Sequence, residues 1–185
     1  MFKSNYFKLF MRFNKVQFGK NLNLYGIPVI FKKKGSQLTI GENCSIKSSF
    51  LSNLIGLNHR TIIVTRTKEA KIKIGNNVGI SGATIYARQG ITIGDNTLIG
   101  GNAKVLDNDF HPIEVEARNI DDKSMIRSKE VTIGENCFIG CNSIILKGTQ
   151  IGNGSVVGAG SVVSGKFPEN VVIAGNPARV IKTLK

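Results

Sequence analysis

Residues 133–168 read IGENCF IGCNSI ILKGTQ IGNGSV VGAGSV VSGKFP, and this stretch decides the fold. Six consecutive units of six residues each begin with Ile or Val, and small residues usually follow at the second and fifth positions. An amphipathic helix would repeat its apolar residues every three or four positions, and a continuous strand every two. A large aliphatic residue that returns only at every sixth position therefore predicts a short strand followed by a bend.

The same unit recurs toward the N-terminus in shorter blocks. Their leading residues are Phe18, Ile40, Ile46, Ile74, Ile80, Ile93, Ile99 and Val105. Gly and Asn recur together after several of them, as in Gly41-Glu-Asn43 and Gly94-Asp-Asn96. Both residue types tolerate the positive φ that a tight turn requires, so each block predicts a bend after its strand.

Three such units close one coil with three flat faces. Successive coils would stack at the ~4.8 Å spacing of hydrogen-bonded strands, with each aliphatic residue above its equivalent in the coil before. The core is then a ladder of Ile and Val. We therefore predict an all-β fold, a parallel β-helix of triangular section over residues 17–182, in a chain of 185 residues that has room for one such domain.

The largest break in the repeat predicts a loop. From Val105 to Ile133 the step is 28 residues, which is four more than a multiple of six. The excess falls in a polar stretch, and we predict that residues 110–130 protrude from the column. Long loops on a rigid scaffold tend to carry function, so this loop is the first place to look for a site.

Two smaller irregularities are also visible. From Ile80 to Ile93 the step is 13 residues, one more than two units, which predicts a bulge near Gln89-Gly90. Residues 51–70 lose the phase altogether, so the repeat makes no prediction for their structure.

The N-terminal segment, residues 1–16, has a different pattern. Its apolar residues fall at helical spacing, at positions Phe2, Tyr6, Leu9, Phe10 and Phe13. Basic residues lie between them, at positions Lys3, Lys8, Arg12 and Lys15. The pattern predicts a short helix that caps the open first coil, because solenoid ends must be shielded. A helix lying on an anionic membrane is the alternative, which the same cap could also provide.

Charge is distributed unevenly. Twenty-five Lys and Arg oppose twelve Asp and Glu, for a formal net charge of +13, and eight basic residues precede the first acidic one, Glu42. Such a field favours anionic partners, but charge alone does not choose among phosphorylated cofactors, acidic lipids and nucleic acid. Three cysteines, no signal-peptide pattern and no long apolar run favour a cytoplasmic protein, with peripheral membrane contact left open.

Two further segments, together with the hexads, carry a resemblance. The segments are Asp107-Asn-Asp-Phe-His-Pro112 and Ala174-Gly-Asn-Pro-Ala-Arg-Val-Ile-Lys182. With the repeat, they resemble the hexapeptide-repeat acyltransferases, in particular sugar and polysaccharide O-acetyltransferases of the galactoside, maltose and xenobiotic acetyltransferase type. The resemblance implies a left-handed β-helix, a homotrimer and acetyl-CoA as co-substrate. Handedness comes from the resemblance alone, since crossovers between parallel strands are usually right-handed.

The resemblance places the catalytic base at His111. Transfer of an acetyl group to a hydroxyl needs a group that can remove a proton near neutral pH, and imidazole, with an ordinary pKa of about 6.5, is suited to this. Asp109 is the first candidate to orient the imidazole, and Asp107 or Glu114 could serve instead. The only other histidine, His59, has no motif around it and is interpreted as structural or surface-exposed.

The resemblance also marks a cofactor site. The matching positions are Cys141, Ala159, Ser164, Gly165, Lys166, Arg179 and Lys182. Small residues would let the pantetheine arm of CoA approach the main chain, and the basic ones would meet its phosphates. On the acceptor side, Ser81, Tyr86, Arg88 and Asp107 are candidates for contacts with sugar hydroxyls, and the loop at residues 110–130 would form one wall.

These features predict an acetyl-CoA-dependent O-acetyltransferase that acts on a sugar or on a surface-polysaccharide precursor. An N-acetyltransferase of amino sugars and a non-catalytic β-helix interaction protein are the alternatives. Carbonic anhydrases on this fold need three histidine ligands for zinc, whereas this chain has two histidines, so no metal is expected. We expect no nucleic-acid partner, because no matching motif accompanies the basic charge.

Overall fold

The computed structural model describes residues 2–185, with side chains from residue 5 onward. Met1 and the side chains of Phe2 and Lys3, which belong to the predicted cap, lie outside the described residues. The chain forms seven stacked coils whose strands line up in three parallel sheets, here named A, B and C. Strands are numbered in chain order. The first six coils run through sheet A, then B, then C, and the seventh has strands in sheets A and B only.

The strands of each sheet are short. Sheet A contains β1 (Gln17–Phe18), β4 (Gln37–Ile40), β7 (Lys71–Ile74), β10 (Gly90–Ile93), β13 (Val131–Ile133), β16 (Gln150–Ile151) and β19 (Lys166–Phe167). Sheet B contains β2 (Asn23–Tyr25), β5 (Ser45–Lys47), β8 (Gly79–Ser81), β11 (Leu98–Ile99), β14 (Phe138–Ile139), β17 (Val156–Val157), β20 (Val171–Gly175) and β21 (Ala178–Thr183). Sheet C contains β3 (Val29–Lys32), β6 (Ile62–Thr65), β9 (Thr84–Ala87), β12 (Lys104–Leu106), β15 (Ile144–Ile145) and β18 (Val162–Val163).

The first residue of each hexad points into the column. In sheet A, Ile74 pairs in register with Ile93, which pairs with Ile133, and all three are at most 1% exposed. Sheets B and C repeat the arrangement with their own Ile and Val residues. The predicted ladder is confirmed. Each large aliphatic side chain buried in this way stabilises the fold by roughly 1.5–3 kcal/mol relative to an exposed one.

The corners between sheets, named AB, BC and CA, follow from turn chemistry. At the AB corner, Asn43, Asn77, Asn96 and Asn136 adopt φ values of 55–56°, and Gly154 adopts 67°. These residues belong to the Gly-x-Asn and Gly-Asn-Gly units in which the sequence predicts a positive φ. The inward position that follows them holds a small side chain, which stacks in the interior of the corner.

Two of these corner side chains are cysteines. Cys44 is fully buried and Cys137 is 2% exposed, as expected for equivalent positions in two copies of Gly-Glu-Asn-Cys. Burial raises the pKa of both thiols above the ordinary value. Both cysteines are free, and they act as small core side chains at the AB corner.

Residues 48–61 leave the column between β5 and β6, and we call them the BC loop. This segment covers part of the stretch for which the repeat makes no prediction. It contains a 3₁₀ turn at Phe50–Ser52 and returns to the column at Thr61, whose hydroxyl donates to the Lys47 carbonyl at 2.8 Å. The side chain of Leu57 is 8% exposed and lies over the BC corner.

Residues 107–130 leave the column between β12 and β13, and we call them the CA loop. The loop contains a short helix, α2 (Val115–Asn119), and a 3₁₀ turn at Lys123–Met125. An antiparallel bridge between Asn108 and Ser128 closes its base. The sequence predicts the loop at residues 110–130. In the structure the chain leaves the column three residues earlier, after β12, so the loop begins at residue 107.

The bulge predicted near Gln89-Gly90 is also present, in the coil that precedes the CA loop. The chain takes five residues from Ile80 to Ile85 and eight from Ile85 to Ile93, so the extra length lies at the CA corner. Arg88 and Gln89 form this wide corner, directly beneath the start of the CA loop.

The two ends of the column are covered differently. At the first coil, helix α1 (Phe2–Phe13) inserts Met11, which has no exposed surface, into the core, and Phe7 packs against it. At the last coil, β21 turns back antiparallel to β20 and closes the edge of sheet B. The division of the chain at residue 16 stays a prediction. Within residues 2–185, the helices are too short or too polar to cross a bilayer.

Candidate functional site

Asp107, at the root of the CA loop, shapes the bend of the coil below it. Its Oδ1 accepts hydrogen bonds from the Arg88 backbone N–H at 2.8 Å and the Asn108 side-chain amide at 3.0 Å. Its Oδ2 accepts from the backbone N–H groups of Gln89 and Gly90, both at 2.7 Å. Asp107 has no exposed surface. The sequence offers this residue as a contact for the acceptor sugar or for the imidazole, but the structure engages both of its oxygens with the wide corner.

The next residues form a tight turn that presents His111. The Asn108 side-chain oxygen accepts from the Phe110 backbone N–H at 2.9 Å, and the His111 N–H donates to the Asp109 carbonyl at 2.7 Å across three residues. Phe110 has a φ of 64°, a conformation that costs a bulky residue about 1–3 kcal/mol. The turn leaves His111 exposed, while the following residue, Pro112, is buried.

One of the predicted acceptor contacts, Tyr86, lies against this turn, a second, Arg88, reaches a later part of the CA loop, and a third, Ser81, lies elsewhere. The rings of Phe110 and Tyr86 pack with their centroids 4.8 Å apart and their planes at 49°. The Arg88 guanidinium donates to the Lys123 carbonyl at 3.2 Å, so it holds the far part of the CA loop. Ser81 ends β8 at the BC corner, on the opposite edge of sheet C.

Ion pairs hold the two acidic side chains that flank His111 on the CA loop. One oxygen of Asp109 pairs with the Lys147 ammonium, and the other is buried without a hydrogen bond in the part of the chain that the structure describes. Glu114 pairs with Arg127. A hydrogen bond from the Glu114 backbone N–H is the main cause that lowers the pKa of this carboxyl. Desolvation opposes it, and the Arg127 guanidinium lowers the pKa further. The predicted role of Asp109 in orienting His111 stays a prediction.

Cys141 and Ala159 stack on one another at the BC corner. The Gly160 N–H donates to the Cys141 carbonyl at 2.9 Å, whereas the backbone N–H groups of Cys141 and Ala159 themselves donate to no group among the described residues. A Cβ on Gly140 would lie 2.6 Å from the Ala159 nitrogen, so only glycine fits there. A Cβ on Gly160 would meet nothing within 4 Å. Small side chains, spare amide donors and open space suit an extended amide-containing ligand such as the pantetheine arm of CoA.

The remaining predicted cofactor residues lie in two further places. Ser164, Gly165 and Lys166 turn the CA corner of the last coil and are exposed, and Gly165 has a φ of 116°. Arg179 and Lys182 project from β21, also exposed, at the edge of sheet B. These three basic side chains give the last coil a cationic end that is open to phosphate groups.

Sheet C separates the two groups of site residues within one chain. His111 follows the CA corner, while Cys141 and Ala159 lie at the BC corner, across the width of the sheet. The outward positions of sheet C between these edges are mostly apolar, with Thr84 and Lys104 as the polar exceptions. The others are Val29, Phe31, Ile62, Val64, Tyr86, Leu106, Ile144 and Val162. The outward positions of sheet A are polar by contrast: Gln17, Thr39, Lys73, Thr92, Thr132, Gln150 and Lys166.

The described residues form no cluster of metal-ligating side chains. Among the residues that the structure describes, no three His, Cys, Asp or Glu side chains lie close enough together to hold a metal ion. The second histidine, His59, lies in the BC loop, with its Nδ1 2.8 Å from the Arg60 carbonyl.

Comparison with known proteins now identifies the repeat. Residues 90–117 and 130–164 match the family described as the hexapeptide repeat of succinyl-transferase. The resemblance to the hexapeptide-repeat acyltransferases is confirmed. The fold is accordingly the left-handed parallel β-helix of hexapeptide-repeat proteins. The first matched segment runs into the CA loop and includes His111, and the second starts at the end of that loop and includes Cys141 and Ala159.

Three similar proteins give the resemblance more detail. WbbJ of Escherichia coli (strain K12), whose name assigns it to lipopolysaccharide biosynthesis as an O-acetyl transferase, is 43% identical over 103 residues, 53% of either chain. A galactoside O-acetyltransferase of Lactococcus lactis is 32% identical over 82% of this chain and 64% of its own. A galactoside acetyltransferase solved with coenzyme A superposes with a TM-score of 0.58 at 29% identity, covering 91% of this chain and 66% of that one. The chain thus spans about half the length of WbbJ and less than two thirds of the Lactococcus enzyme.

Two residues near His111, Lys147 and Phe110, are not identified as site residues by the sequence. Lys147 occupies a hexad position, 38 residues from the Asp109 that it pairs with. Phe110 stands inside the recognised segment, but its left-handed conformation and its contact with Tyr86 are not encoded by a turn-forming residue type. A search for Lys or Arg in the hexads that follow the loop would have proposed Lys147.

Proposed function

We propose that the chain is an acetyl-CoA-dependent acetyltransferase that acetylates a hydroxyl of a sugar or surface-polysaccharide precursor, with His111 as general base. The observation that carries the proposal is the presentation of His111. A buried carboxylate, an Asn side chain and a left-handed aromatic residue together fix the turn that leaves its imidazole exposed. The names of the similar proteins, which are O-acetyltransferases of lipopolysaccharide biosynthesis and of galactosides, support the substrate class.

In this reaction His111 removes the proton of the acceptor hydroxyl as its oxygen attacks the thioester carbonyl carbon. A carbon–oxygen bond forms, the carbon–sulfur bond breaks, and the imidazolium returns the proton to the departing thiolate, so that CoA leaves as a thiol. Bound acetyl-CoA would supply the activated acetyl group. Arg179, Lys182 and Lys166 would bind its phosphates, and the backbone at Cys141 and Ala159 would bind its pantetheine arm.

A complete site would form between copies of the chain. Within one copy, sheet C separates His111 from Cys141 and Ala159, whereas packing of two such edges would bring His111 of one copy to the BC corner of the next. The apolar outward face of sheet C is a suitable contact surface for that packing. We therefore propose a homotrimer in which each site lies between two neighbours, since three copies close a ring by a heterologous contact.

The test is an assay of CoA thiol release across mono- and oligosaccharides and the matching amino sugars. A positioned general base is worth roughly 10²–10⁴-fold in rate, so His111→Ala should lower kcat by that factor while CoA binding persists. His59→Ala is the matched control, because it removes the only other imidazole and should leave kcat unchanged.

Each other outcome contradicts a separate part of the proposal. Near-normal turnover by His111→Ala would remove this residue as the base. Thiol release with amino sugars only would make the enzyme an N-acetyltransferase. The absence of CoA binding in the unmodified protein would favour a β-helix interaction protein. A monomer by sedimentation that retains full activity would contradict the shared site.

A further inference from the structure

Helix α1 has two apolar faces, of which the cap uses one. Phe7 and Met11, four residues apart, face the column and pack on its core. A second stripe points away from the column and is 72%, 63%, 48% and 86% exposed at Tyr6, Leu9, Phe10 and Phe13, respectively. The caps of solenoid proteins normally present a polar outer face, so the second stripe is not needed to shield the first coil.

The exposed stripe has a basic surround. Lys8 and Arg12 lie on the same helix, and the Arg12 guanidinium lies 5.2 Å from the centroid of the Phe18 ring. An open cleft of about 810 Å³ begins at Phe13 and is flanked by lysines of two segments, Lys15 after α1 and Lys32 and Lys34 at the end of β3. The first 41 residues contain no acidic side chain. Large apolar side chains rimmed by cations are typical of a surface that lies in the interface of an anionic bilayer.

We propose that α1 and the lysines of the first coil dock the protein on an anionic lipid membrane. The apolar stripe would enter the boundary between headgroups and acyl chains, and the lysines would contact the phosphates beside it. A second copy of this end carries the same positive charges and would be repelled. A nucleic acid would use the lysines but would leave Leu9 and Phe13 in contact with water.

Vesicle flotation tests the docking directly, without substrate or acetyl-CoA, so its result does not depend on the proposed function. The full chain is mixed with vesicles of phosphatidylcholine alone, or of equal parts phosphatidylcholine and phosphatidylglycerol, at low and at high salt. We expect the protein to float with the anionic vesicles, to stay behind with the neutral ones, and to be released in part by salt.

A first pair of variants tests the apolar stripe. Leu9→Ser with Phe13→Ser should lower the bound fraction at least tenfold, because both side chains would lose their burial in lipid. The matched control is Leu51→Ser with Leu54→Ser, which removes two BC-loop side chains of similar exposure, 80% and 85%. Circular dichroism and thermal unfolding would show that each variant keeps its fold.

A second pair tests the charge and remains informative if the stripe variant fails to fold. Replacement of Lys15, Lys32 and Lys34 by Gln should weaken binding about fivefold for each charge removed. The control replaces three exposed lysines of the CA loop and the C-terminus by Gln, at positions Lys123, Lys129 and Lys185. It changes the net charge equally and should bind as the unmodified protein does.

Several results would overturn the docking surface. One is a failure of the unmodified protein to float with anionic vesicles, and another is equal flotation with neutral ones. Unchanged binding by the stripe variant, or an equal loss in both lysine variants, would reduce the effect to general charge. A smaller assembly formed by the stripe variant, together with no flotation of the unmodified protein, would assign the stripe to a contact between copies.

Discussion

The two loops that leave the column are held in different ways. The BC loop lies flat on its corner, where the Asn102 side-chain amide donates to the Gly56 carbonyl and its oxygen accepts from the Asn58 N–H, both at 2.8 Å. Its residue Leu57 adds an apolar contact to the same corner. The CA loop is held at its root by the buried Asp107 carboxylate, and farther along by ion pairs.

The two loops therefore have different roles: the BC loop covers a corner of the column, and the CA loop positions a side chain. Neutral hydrogen bonds and the apolar side chains of Ile55 and Leu57 fasten the middle of the BC loop, so this loop shields the backbone of its corner. In the CA loop the strongest hydrogen bonds fix the residues immediately before His111, and the imidazole itself stays exposed. A rigid root with an exposed side chain is what a preorganised catalytic group requires.

The largest expected effect is at the root of the CA loop. Asp107→Asn places an amide NH₂ where a carboxylate oxygen accepts from backbone N–H groups, so at least one buried donor loses its partner. We expect the free energy of unfolding to fall by about 2–4 kcal/mol. Chemical denaturation measures this loss, and the proposed transferase activity should fall with it because His111 loses its support.

Asp95→Asn is the matched control for that substitution. Asp95 accepts from the Asn76 backbone N–H at 2.8 Å, and in a later coil Asn153 makes the equivalent bond to Glu135 at 2.9 Å. Because asparagine already serves at this corner, we expect a change within about 0.5 kcal/mol. If Asp107→Asn were equally mild, the root of the CA loop would be no stronger than an ordinary corner.

A smaller effect is expected at the BC loop. Asn102→Ala removes both hydrogen bonds to the loop, and we expect a loss of about 1–3 kcal/mol, more than half of it from the loop contacts. Asn142→Ala is the control, since Asn142 has a φ of 57° against 61° for Asn102 at the same corner, and among the described residues it is Asn102 whose side chain hydrogen-bonds the loop. Hydrogen exchange of residues 48–61 should accelerate in the first variant only; equal exchange in both would show that the loop is held by other contacts.

The smallest effect concerns acid pH. The pKa of Glu114 is lower in the folded chain than in an unfolded one, so its contribution to stability is present above the ordinary value of about 4.3 and is lost as pH falls through the lower folded value. We expect hydrogen exchange of the CA loop, corrected for the intrinsic rate, to accelerate over that acid range.

Glu114→Gln should reduce this pH dependence and leave the contribution of Asp122, whose pKa the Ser124 hydroxyl and N–H also lower. The BC loop contains no acidic residue and serves as an internal reference. A CA loop that exchanged at the same corrected rate throughout the acid range would show that the Glu114–Arg127 pair does not hold it.

The sequence predicts the column well because its signals are local. Hexads 133–168 contain both the inward aliphatic residue and the turn residues of each bend, and Asn136 takes the positive φ that its unit requires. The position of His111 on a loop also follows from the broken phase. Helix α1 follows from helical spacing, but its buried face does not: the stripe that includes Leu9 and Phe13 is exposed, whereas Met11 and Phe7 pack on the core.

The contacts of charged side chains are not predictable in the same way. From its place in the motif, Asp107 is a candidate for substrate contact, yet its partners lie 17–19 residues earlier, on a corner widened by the bulge. Asp109 meets Lys147, 38 residues later, because the CA loop ends and the next coil brings that lysine back to the same corner. The separation of 38 residues is not a multiple of six, and although 17–19 residues is close to one coil of 18, the repeat does not show that a side chain of one coil bonds the backbone of the coil before.

The amino-acid pattern alone therefore determines the inward ladder, the corners and the position of the CA loop, because each hexad specifies its own strand and turn within six residues and the loop breaks that phase. Only the tertiary structure decides that Asp107 supports a corner, and that sheet C separates His111 from Cys141 and Ala159. Those relations depend on how separate coils stack and on where the loops return to them. Stacking brings together residues whose separation along the chain carries no local signal.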